Sequence, residues 1–143
     1  MAKEAEFSKW FRNSMQPEFD FIRVETREED GFPDLLGKRA LDNSPIFVEL
    51  KSHKVTRNNT VSLELAADQK IRLQWLSNFI VTCVVCELST SEVLYISIGR
   101  PMAWNRLLSG ATRVIDILEF DERNKIVPKS QLKNFLLNIP HIN

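Results

Sequence analysis

The segment "GFPDLLGKRALDNSPIFVELKSHK", residues 31–54, decides the fold, because it holds two apolar arms on either side of a polar loop. The arms are "PDLLG" and "IFVELK", and the loop is "KRALDNSP". A connection this short joins antiparallel strands, so the segment predicts a β-hairpin. Strand alternation then places the apolar side chains of residues 46, 48 and 50 on one face of the second arm. Phe47, Glu49 and Lys51 lie on the other face.

Glu49 and Lys51 require an explanation, because strand interiors disfavour Glu and Lys and a buried charge is costly unless it is paired or bound to a metal. One interpretation is an exposed charged row on an edge strand, which discourages aggregation. The other interpretation is that the charges of Glu49 and Lys51 belong to a functional site. Antiparallel pairing puts Asp34 beside Glu49, and two neighbouring carboxylates repel each other unless a cation lies between them. Asp34 alone is also a common type of turn residue.

The chemistry of this set fits phosphodiester hydrolysis. Mg²⁺ prefers oxygen ligands and also binds substrate phosphate, so it suits the Asp34–Glu49 pair. Lys51 can hold a phosphate oxygen or the attacking water and can neutralise charge in the transition state. Glu4 can add a third carboxylate from an N-terminal helix, and Gln69 can add an amide from a later helix. Each of these two also has a structural interpretation, as a first-turn glutamate favoured by the helix dipole and as a hydrogen-bond partner of the backbone.

The segments around the hairpin predict a helix before it and a helix and two strands after it. Apolar residues at helical spacing predict a helix over residues 2–15, which Pro17 ends. Glu4 lies on its apolar face with residues 7 and 11, whereas Glu6 points away. "FDFIRVET" alternates as a strand. "VTCVVCEL" and "VLYISIG" predict two later strands that pair with each other.

The strongest helical pattern after the hairpin is "SLELAADQKIRLQWLSNFI", residues 62–80. Gln69 lies inside its apolar stripe, which consists of Leu65, Leu73, Leu76 and Ile80. Beyond residue 100 the pattern weakens: "WNRLL" predicts a short helix, "TRVIDILEF" a strand or a helix, and "KSQLKNFLLNI" a terminal helix. This order of elements predicts an α/β fold with a mixed central sheet flanked by helices.

Length and composition indicate one domain covering residues 1–143, because 143 residues with 43% hydrophobic side chains can bury a core without disulfides. Lys plus Arg equals Asp plus Glu at 19 each, so a nucleic-acid-binding face must come from local clustering. Cys83 and Cys86 point to opposite faces of a strand and are expected to be buried, reduced thiols. The three tryptophans are expected in the core. We find no signal peptide and no apolar run of membrane-spanning length, so a cytoplasmic location is expected.

Pro33-Asp34, followed fifteen positions after Asp34 by Glu49-Leu50-Lys51, resembles the PD-(D/E)XK nuclease superfamily. The fuller pattern "GFPDLLG…FVELK…SLELAADQKIRLQWL" is similar to virus-type replication-repair nuclease domains and to archaeal-type Holliday-junction resolvases. The resemblance covers about residues 4–85. It implies a restriction-endonuclease-like αβββαβ core, which we place at about residues 4–100, followed by a C-terminal extension at about 101–143.

The resemblance also implies roles for individual residues. Mg²⁺ or Mn²⁺ would be bound by Asp34, Glu49 and the carbonyl of Leu50, and Lys51 would be the catalytic lysine. Gln69 would have the supporting role of the family's helix glutamine. The N-terminal helix glutamate maps to Glu4, with Glu6 as the fallback. The two loops that flank the site hold four basic side chains, which are expected to contact DNA or to be solvated; they are Lys38, Arg39, Lys54 and Arg57. His53 is also expected to be solvent-exposed or to contact DNA.

The function that follows from the resemblance is a metal-dependent DNA endonuclease. We expect a branched substrate such as a four-way junction, because so small a chain leaves little room for a sequence-reading module. We also expect a homodimer, which would present two sites to the two strands of a symmetric substrate. A virus or phage origin fits the virus-type branch. Two alternatives stay open: a nicking or restriction-like endonuclease acting on plain duplex DNA, and a non-catalytic DNA-binding protein with the same fold.

Overall fold

The computed structural model describes residues 2–24, 33–53, 60–61, 67–88, 92–97, 112–113 and 125–139. Three α-helices lie in these ranges: α1 (Ala2–Met15), α2 (Ala67–Ser77) and α3 (Leu132–Leu137). A 3₁₀ turn over Lys129–Gln131 leads into α3. The strands are β1 (Phe19–Arg23), β2 (Leu35–Arg39), β3 (Pro45–His53), β4 (Thr60–Val61), β5 (Val81–Leu88), β6 (Glu92–Ser97), β7 (Thr112–Arg113) and β8 (Lys125–Pro128).

Six of these strands form one mixed sheet in the order β1-β2-β3-β5-β6-β8. Only β3 and β5 pair in parallel within it, and α2 lies in the connection between them, as a parallel crossover requires. The other neighbours pair antiparallel, which includes the predicted β2–β3 hairpin. β4 and β7 form a separate two-stranded sheet. The predicted α/β fold with a mixed sheet and an αβββαβ core is therefore confirmed.

The main core lies on the face of the sheet that carries the side chains of residues 46, 48 and 50. These side chains are buried together with Phe7, Phe11 and Met15 of α1, as the helical spacing predicts. Trp10 packs against the same cluster. Because α1 and the β3 row bury each other, the N-terminal helix is fixed against the hairpin.

Close packing between β1 and β2 depends on a glycine. Gly37 lies opposite Phe21 in the register, and a Cβ atom at residue 37 would collide with the Phe21 ring. The missing side chain lets the ring lie flat across β2, where it contacts Phe11 at 5.1 Å between ring centroids.

The opposite face of the sheet is covered by α2, which buries Leu73 and Leu76. The helix ends at Ser77 and not at residue 80, because the amides of Asn78 and Phe79 bond three residues back and tighten the last turn. Trp75 is 52% exposed, so its predicted place in the core is wrong. Leu65 and Trp104 lie outside the described residues.

The C-terminal segment is part of the core. Strand β8, which the sequence analysis missed, pairs with β6 at the edge of the sheet. The terminal helix is confirmed as α3, and Leu132 and Leu136 are 0% and 2% exposed in the main core cluster. Residues 125–139 therefore extend and cover the sheet. "WNRLL" lies outside the described residues, and of "TRVIDILEF" only Thr112–Arg113 is described, as β7.

The two cysteines are both free thiols at 0% exposure. Cys83 belongs to the main core cluster on the α1 side of the sheet. The expectation of buried, reduced thiols is confirmed. Among the described helices, none is both long enough and apolar enough to span a bilayer.

Candidate active site

The hairpin register brings Asp34 to the middle of β3. Leu35 pairs with Val48, so the residue before Leu35 meets the residue after Val48. The Asp34 side chain is exposed, and its Oδ2 atom accepts a hydrogen bond of 2.9 Å from the backbone N–H of Leu50. The Asp34 carboxylate is therefore held against the peptide that joins Glu49 to Leu50.

Glu49 is the second carboxylate of the candidate site, and it is only 2% exposed. The other buried polar residues in the described part of the chain are Ser77 and Thr82. Their hydroxyl groups donate hydrogen bonds to nearby backbone carbonyls at 2.8 Å and 3.0 Å, so local bonds satisfy these two buried polar groups. Glu49 alone in this buried set carries an ionisable group. A carboxylate so placed is costly to bury, which marks its position in β3 as unusual.

Lys51 and His53 follow Glu49 on the same face of β3, and both are half-buried. Within the described ranges, the Lys51 ammonium makes no ion pair and no hydrogen bond. Its charge therefore takes part in no structural interaction there. His53 was expected to be solvent-exposed or to contact DNA. The structure places its Nε2 atom out of contact with solvent at the end of the strand.

Gln69 and the two N-terminal glutamates lie on the helices. Gln69 is half-buried in α2, one turn before the buried Leu73, so it lies on the side of α2 that faces the sheet. Glu4 lies within α1, but its side chain is outside what the structure describes. Glu6 is exposed, as predicted for a position off the apolar face.

Lys38 and Arg39 do not come to this site. Both lie in β2, not in a loop, and they occupy the end of the strand opposite Asp34. Arg39 donates two hydrogen bonds to Asp42, at 3.1 Å and 2.6 Å, and a third to the carbonyl of Leu137 at 3.0 Å. The expectation that these two residues flank the site is wrong, and Arg39 instead ties the hairpin turn to α3. Lys54 and Arg57 lie outside the described residues.

The hairpin turn has its own anionic anchor in Asp42. The Ser44 hydroxyl donates to the Asp42 carboxylate at 2.6 Å, and the Arg39 guanidinium lies beside it. Two hydrogen bonds hold the pKa of Asp42 well below its ordinary value. The bond from Ser44 has the larger effect, and the bond from Arg39 the next largest. The turn is therefore organised by charge at neutral pH, away from the candidate site.

A cleft that the sequence analysis missed opens beside Asp34, between α1 and the end of β1. It has a volume of about 400 Å³, and Asp34 and Leu50 form one side of it. Three basic side chains line it, namely Lys9, Arg12 and Arg23. The sequence contains one signal for it, because residues 9 and 12 are three apart and share a face of α1. The position of these two residues next to Arg23 of β1 depends on how α1 packs against the sheet, which the local sequence does not indicate.

The hairpin donors fit a divalent cation. Two carboxylates and the carbonyl of Leu50 are hard oxygen donors of the kind that Mg²⁺ and Mn²⁺ accept. The near-complete burial of Glu49 is the observation that favours such an ion over an exposed charged row. Within the described ranges, no three His, Cys, Asp or Glu side chains form a metal-binding group.

No protein-family model matches the chain, and no curated protein matches it significantly. Among solved structures, the chain is similar to Hjc, a Holliday junction resolvase from the archaeal hyperthermophile Archaeoglobus fulgidus. That likeness has a TM-score of 0.48 and 18% sequence identity, and it covers 66% of this chain and 72% of Hjc. At this level of similarity, function has to be argued from the side chains of this chain.

Proposed function

We propose that this protein is a metal-dependent endonuclease that hydrolyses phosphodiester bonds in DNA, with Asp34, Glu49 and Lys51 as its active-site side chains. The observation that carries the proposal is the 2.9 Å hydrogen bond from the Leu50 N–H to Asp34. It holds one carboxylate against the strand position of the buried carboxylate, Glu49. The sequence pattern Pro-Asp…Glu-Leu-Lys, which resembles PD-(D/E)XK nucleases, gives the same assignment.

The chain's own groups divide the work as follows. Asp34, Glu49 and the Leu50 carbonyl would hold Mg²⁺ or Mn²⁺, and the ion would supply Lewis-acid activation of the phosphate and of the attacking water. The Leu50 N–H orients the Asp34 carboxylate, so this ligand would be in place before an ion arrives. Lys51 would carry the positive charge that stabilises the phosphorane-like transition state. Gln69 would have a supporting role in the site, to which its side-chain amide would be contributed from α2.

The substrate we propose is branched DNA, and the assembly we propose is a homodimer. Both rest on the resemblance of residues 4–85 to junction resolvases and on symmetry, since two sites related by a two-fold axis match the two strands of a four-way junction. A molar-mass measurement on the protein with a bound junction tests the assembly. A 1:1 complex would contradict the dimer without touching the active-site assignment.

The test of the activity compares four-way, nicked and linear DNA of the same sequence, with Mg²⁺ or with chelator. We expect Mg²⁺-dependent cutting, fastest on the junction, by the unmodified chain and its loss in Asp34→Asn and Lys51→Ala. Asp20→Asn and Lys125→Ala are matched controls, because both residues are exposed and lie in β1 and β8 at a distance from the hairpin site. Equal cutting by Asp34→Asn and Asp20→Asn would refute the site. Preferred cutting of plain duplex would refute the branched substrate, and DNA binding without any cutting would favour a non-catalytic protein.

A further inference from the structure

The side of α2 that faces away from the sheet carries exposed aromatic rings. Trp75 and Phe79 are 52% and 53% exposed, although the same helix buries Leu73 and Leu76. The two rings meet at 5.0 Å between centroids with their planes at 85°, so each restrains the other. Ile71, 67% exposed, lies one turn before Trp75 and extends this aromatic patch along the helix. Single exposed apolar side chains are ordinary, whereas a contiguous patch of large ones indicates a binding surface.

The size of the aromatic patch limits what can cover it. A large aromatic side chain buries about 150–250 Å² when it is completely covered, and about half of each ring is open here. With the open part of Ile71 included, the patch offers about 300 Å². A stable dimer buries about 800 Å² on each partner. The patch is therefore too small to hold a second copy of the chain by itself, and it suits a smaller, flat group.

The charge beside the rings indicates the chemistry of that group. The guanidinium carbon of Arg72 lies 5.5 Å from the centroid of the Trp75 ring, which is within cation–π range. From residue 69 to its end at Ser77, the sequence of α2 contains two basic residues, Lys70 and Arg72, and no acidic one. Proteins combine aromatic rings with arginine to stack nucleobases and to attract the phosphates that link them. A nucleotide has a flat π-face and a negative charge, so it fits both features.

The aromatic patch lies near the proposed active site along the same helix. Gln69, to which we assign a supporting role in that site, precedes Trp75 by six residues, or about 9 Å of helix. Neighbouring nucleotides of one strand rise about 3.4 Å in duplex DNA, so this distance corresponds to about three nucleotides. A paired base is stacked between its neighbours, and only an unstacked base offers its face to a side chain. The base that reaches Trp75 is therefore an unpaired one, a few nucleotides from the cut bond.

We propose that Trp75 and Phe79, together with Arg72, form a stacking site for an unpaired nucleobase near the cleaved bond. This inference rests on the proposed endonuclease function and specifies its substrate further. The DNA would be unpaired beside the cut, as at a branch point or in a single-stranded arm. Stacking requires only a π-face, so the site should accept all four bases with similar affinity. It should contribute nothing to the binding of fully paired, linear duplex.

The test measures the affinity of fluorescent DNA by anisotropy in a Lys51→Ala background, which is expected not to cut. Two DNAs are compared, a fully paired duplex and the same duplex with a single-stranded arm. We expect Trp75→Ala to weaken binding of the armed DNA by about 5- to 150-fold and to leave binding of the duplex unchanged. Trp75→Phe, which keeps an aromatic ring, should lose far less. Leu41→Ala is the matched control, because Leu41 is 86% exposed in the hairpin turn. Thermal melting of each variant excludes unfolding as the cause.

A second measurement alters the DNA and leaves the protein unchanged. Abasic sites, which lack the base but keep the phosphate, are placed one at a time in the single-stranded arm. We expect one position to weaken binding about as much as Trp75→Ala does, and to have almost no further effect in that variant. The stacking site is refuted if no position behaves in this way, or if Trp75→Ala affects armed and paired DNA equally.

Two other results separate this inference from its alternatives. If Trp75→Ala converts a dimer into a monomer in a molar-mass measurement without DNA, the aromatic patch is an interface between copies of the chain, and the stacking site is refuted. If the unmodified chain binds the single-stranded arm through Trp75 but cuts no DNA, the endonuclease function fails and the stacking site stands as a DNA-binding surface. If the chain cuts DNA and Trp75→Ala binds like Leu41→Ala, the stacking site alone fails.

Discussion

The hydrogen bond between Asp34 and Leu50 gives two substitutions that separate structure from chemistry. Asp34→Ala removes the acceptor, whereas Asp34→Asn keeps an oxygen that can accept the same bond and loses only the negative charge. A hydrogen bond to a charged group contributes about 1.5–3 kcal/mol. Asp34 is exposed, so water can replace part of the lost bond, and we expect about 1.5 kcal/mol for the alanine variant.

These free energies convert into melting temperatures that can be measured. For a domain of this size, 1 kcal/mol shifts the melting temperature by about 2–4 °C, so Asp34→Ala should melt about 3–6 °C below the unmodified chain. Asp34→Asn should recover at least half of that difference. The scans are run in chelator, which removes any contribution from bound metal.

Activity should not follow stability in these variants. Both substitutions remove the charge that we propose binds the metal, so we expect both to lower the rate of junction cleavage by about 100-fold or more, equivalent to ~2.7 kcal/mol in the activation barrier. Asp20→Asn and Asp20→Ala, on an exposed residue of β1, should change neither quantity. Wild-type cleavage by Asp34→Asn would refute the metal-binding role. An Asp34→Ala protein as stable as the unmodified chain would refute the structural role of the hydrogen bond.

Three further outcomes follow from the described contacts. Lys51→Ala should lose cleavage by about 100-fold while its stability changes by less than ~0.5 kcal/mol, because the lysine makes no ion pair in the described ranges; a melting temperature that falls with the activity would contradict this. Leu136→Ala should cost about 2–5 kcal/mol in urea unfolding, since Leu136 is 2% exposed in the core, and a near-neutral result would mean that α3 is not docked. Asp42 has a lowered pKa in the folded state, so its bonds to Ser44 and Arg39 stabilise the fold above the unfolded pKa of about 3.9 and lose that effect as pH falls below it. The difference in melting temperature between the unmodified chain and Asp42→Asn should therefore be full at pH 7 and shrink below about pH 4; a difference that stays constant down to pH 2 would refute this account.

The parts of the fold that could be predicted are those that local rules determine. Alternation along "IFVELK" and the short loop before it were enough to predict the hairpin and the position of Asp34 against β3. The apolar spacing of residues 2–15 was enough to predict α1 and its buried face. In each case the residues that carry the signal are close together in the sequence.

The parts that could not be predicted depend on contacts between distant segments. Strand β8 has four residues, too few for a periodic pattern, and it forms because β6 offers a free edge. Arg39 looked like a DNA-binding residue, but one of its acceptors is the carbonyl of Leu137, 98 positions away. The basic cleft likewise exists only because α1 and β1 pack together. Of these three features, only the cleft has a local sequence signal, which is the spacing of Lys9 and Arg12 on one face of α1.

Burial distinguishes Glu49 from the other charged residues of this hairpin. Lys38 is exposed in β2, and Arg39 has acceptors in the turn and in α3, so folding explains both. Glu49 differs from both because it is almost completely buried. An apolar residue at that position of β3 would contribute about 1.5–3 kcal/mol through burial, and even a paired carboxylate in a protein interior is often no better than an apolar residue of similar volume. The chain nevertheless keeps a carboxylate at 2% exposure, next to a second carboxylate held by the Leu50 amide. A requirement for negative charge at this point in the sheet is the simplest physical reason, because positions that break local folding rules without a gain in stability are expected at functional sites.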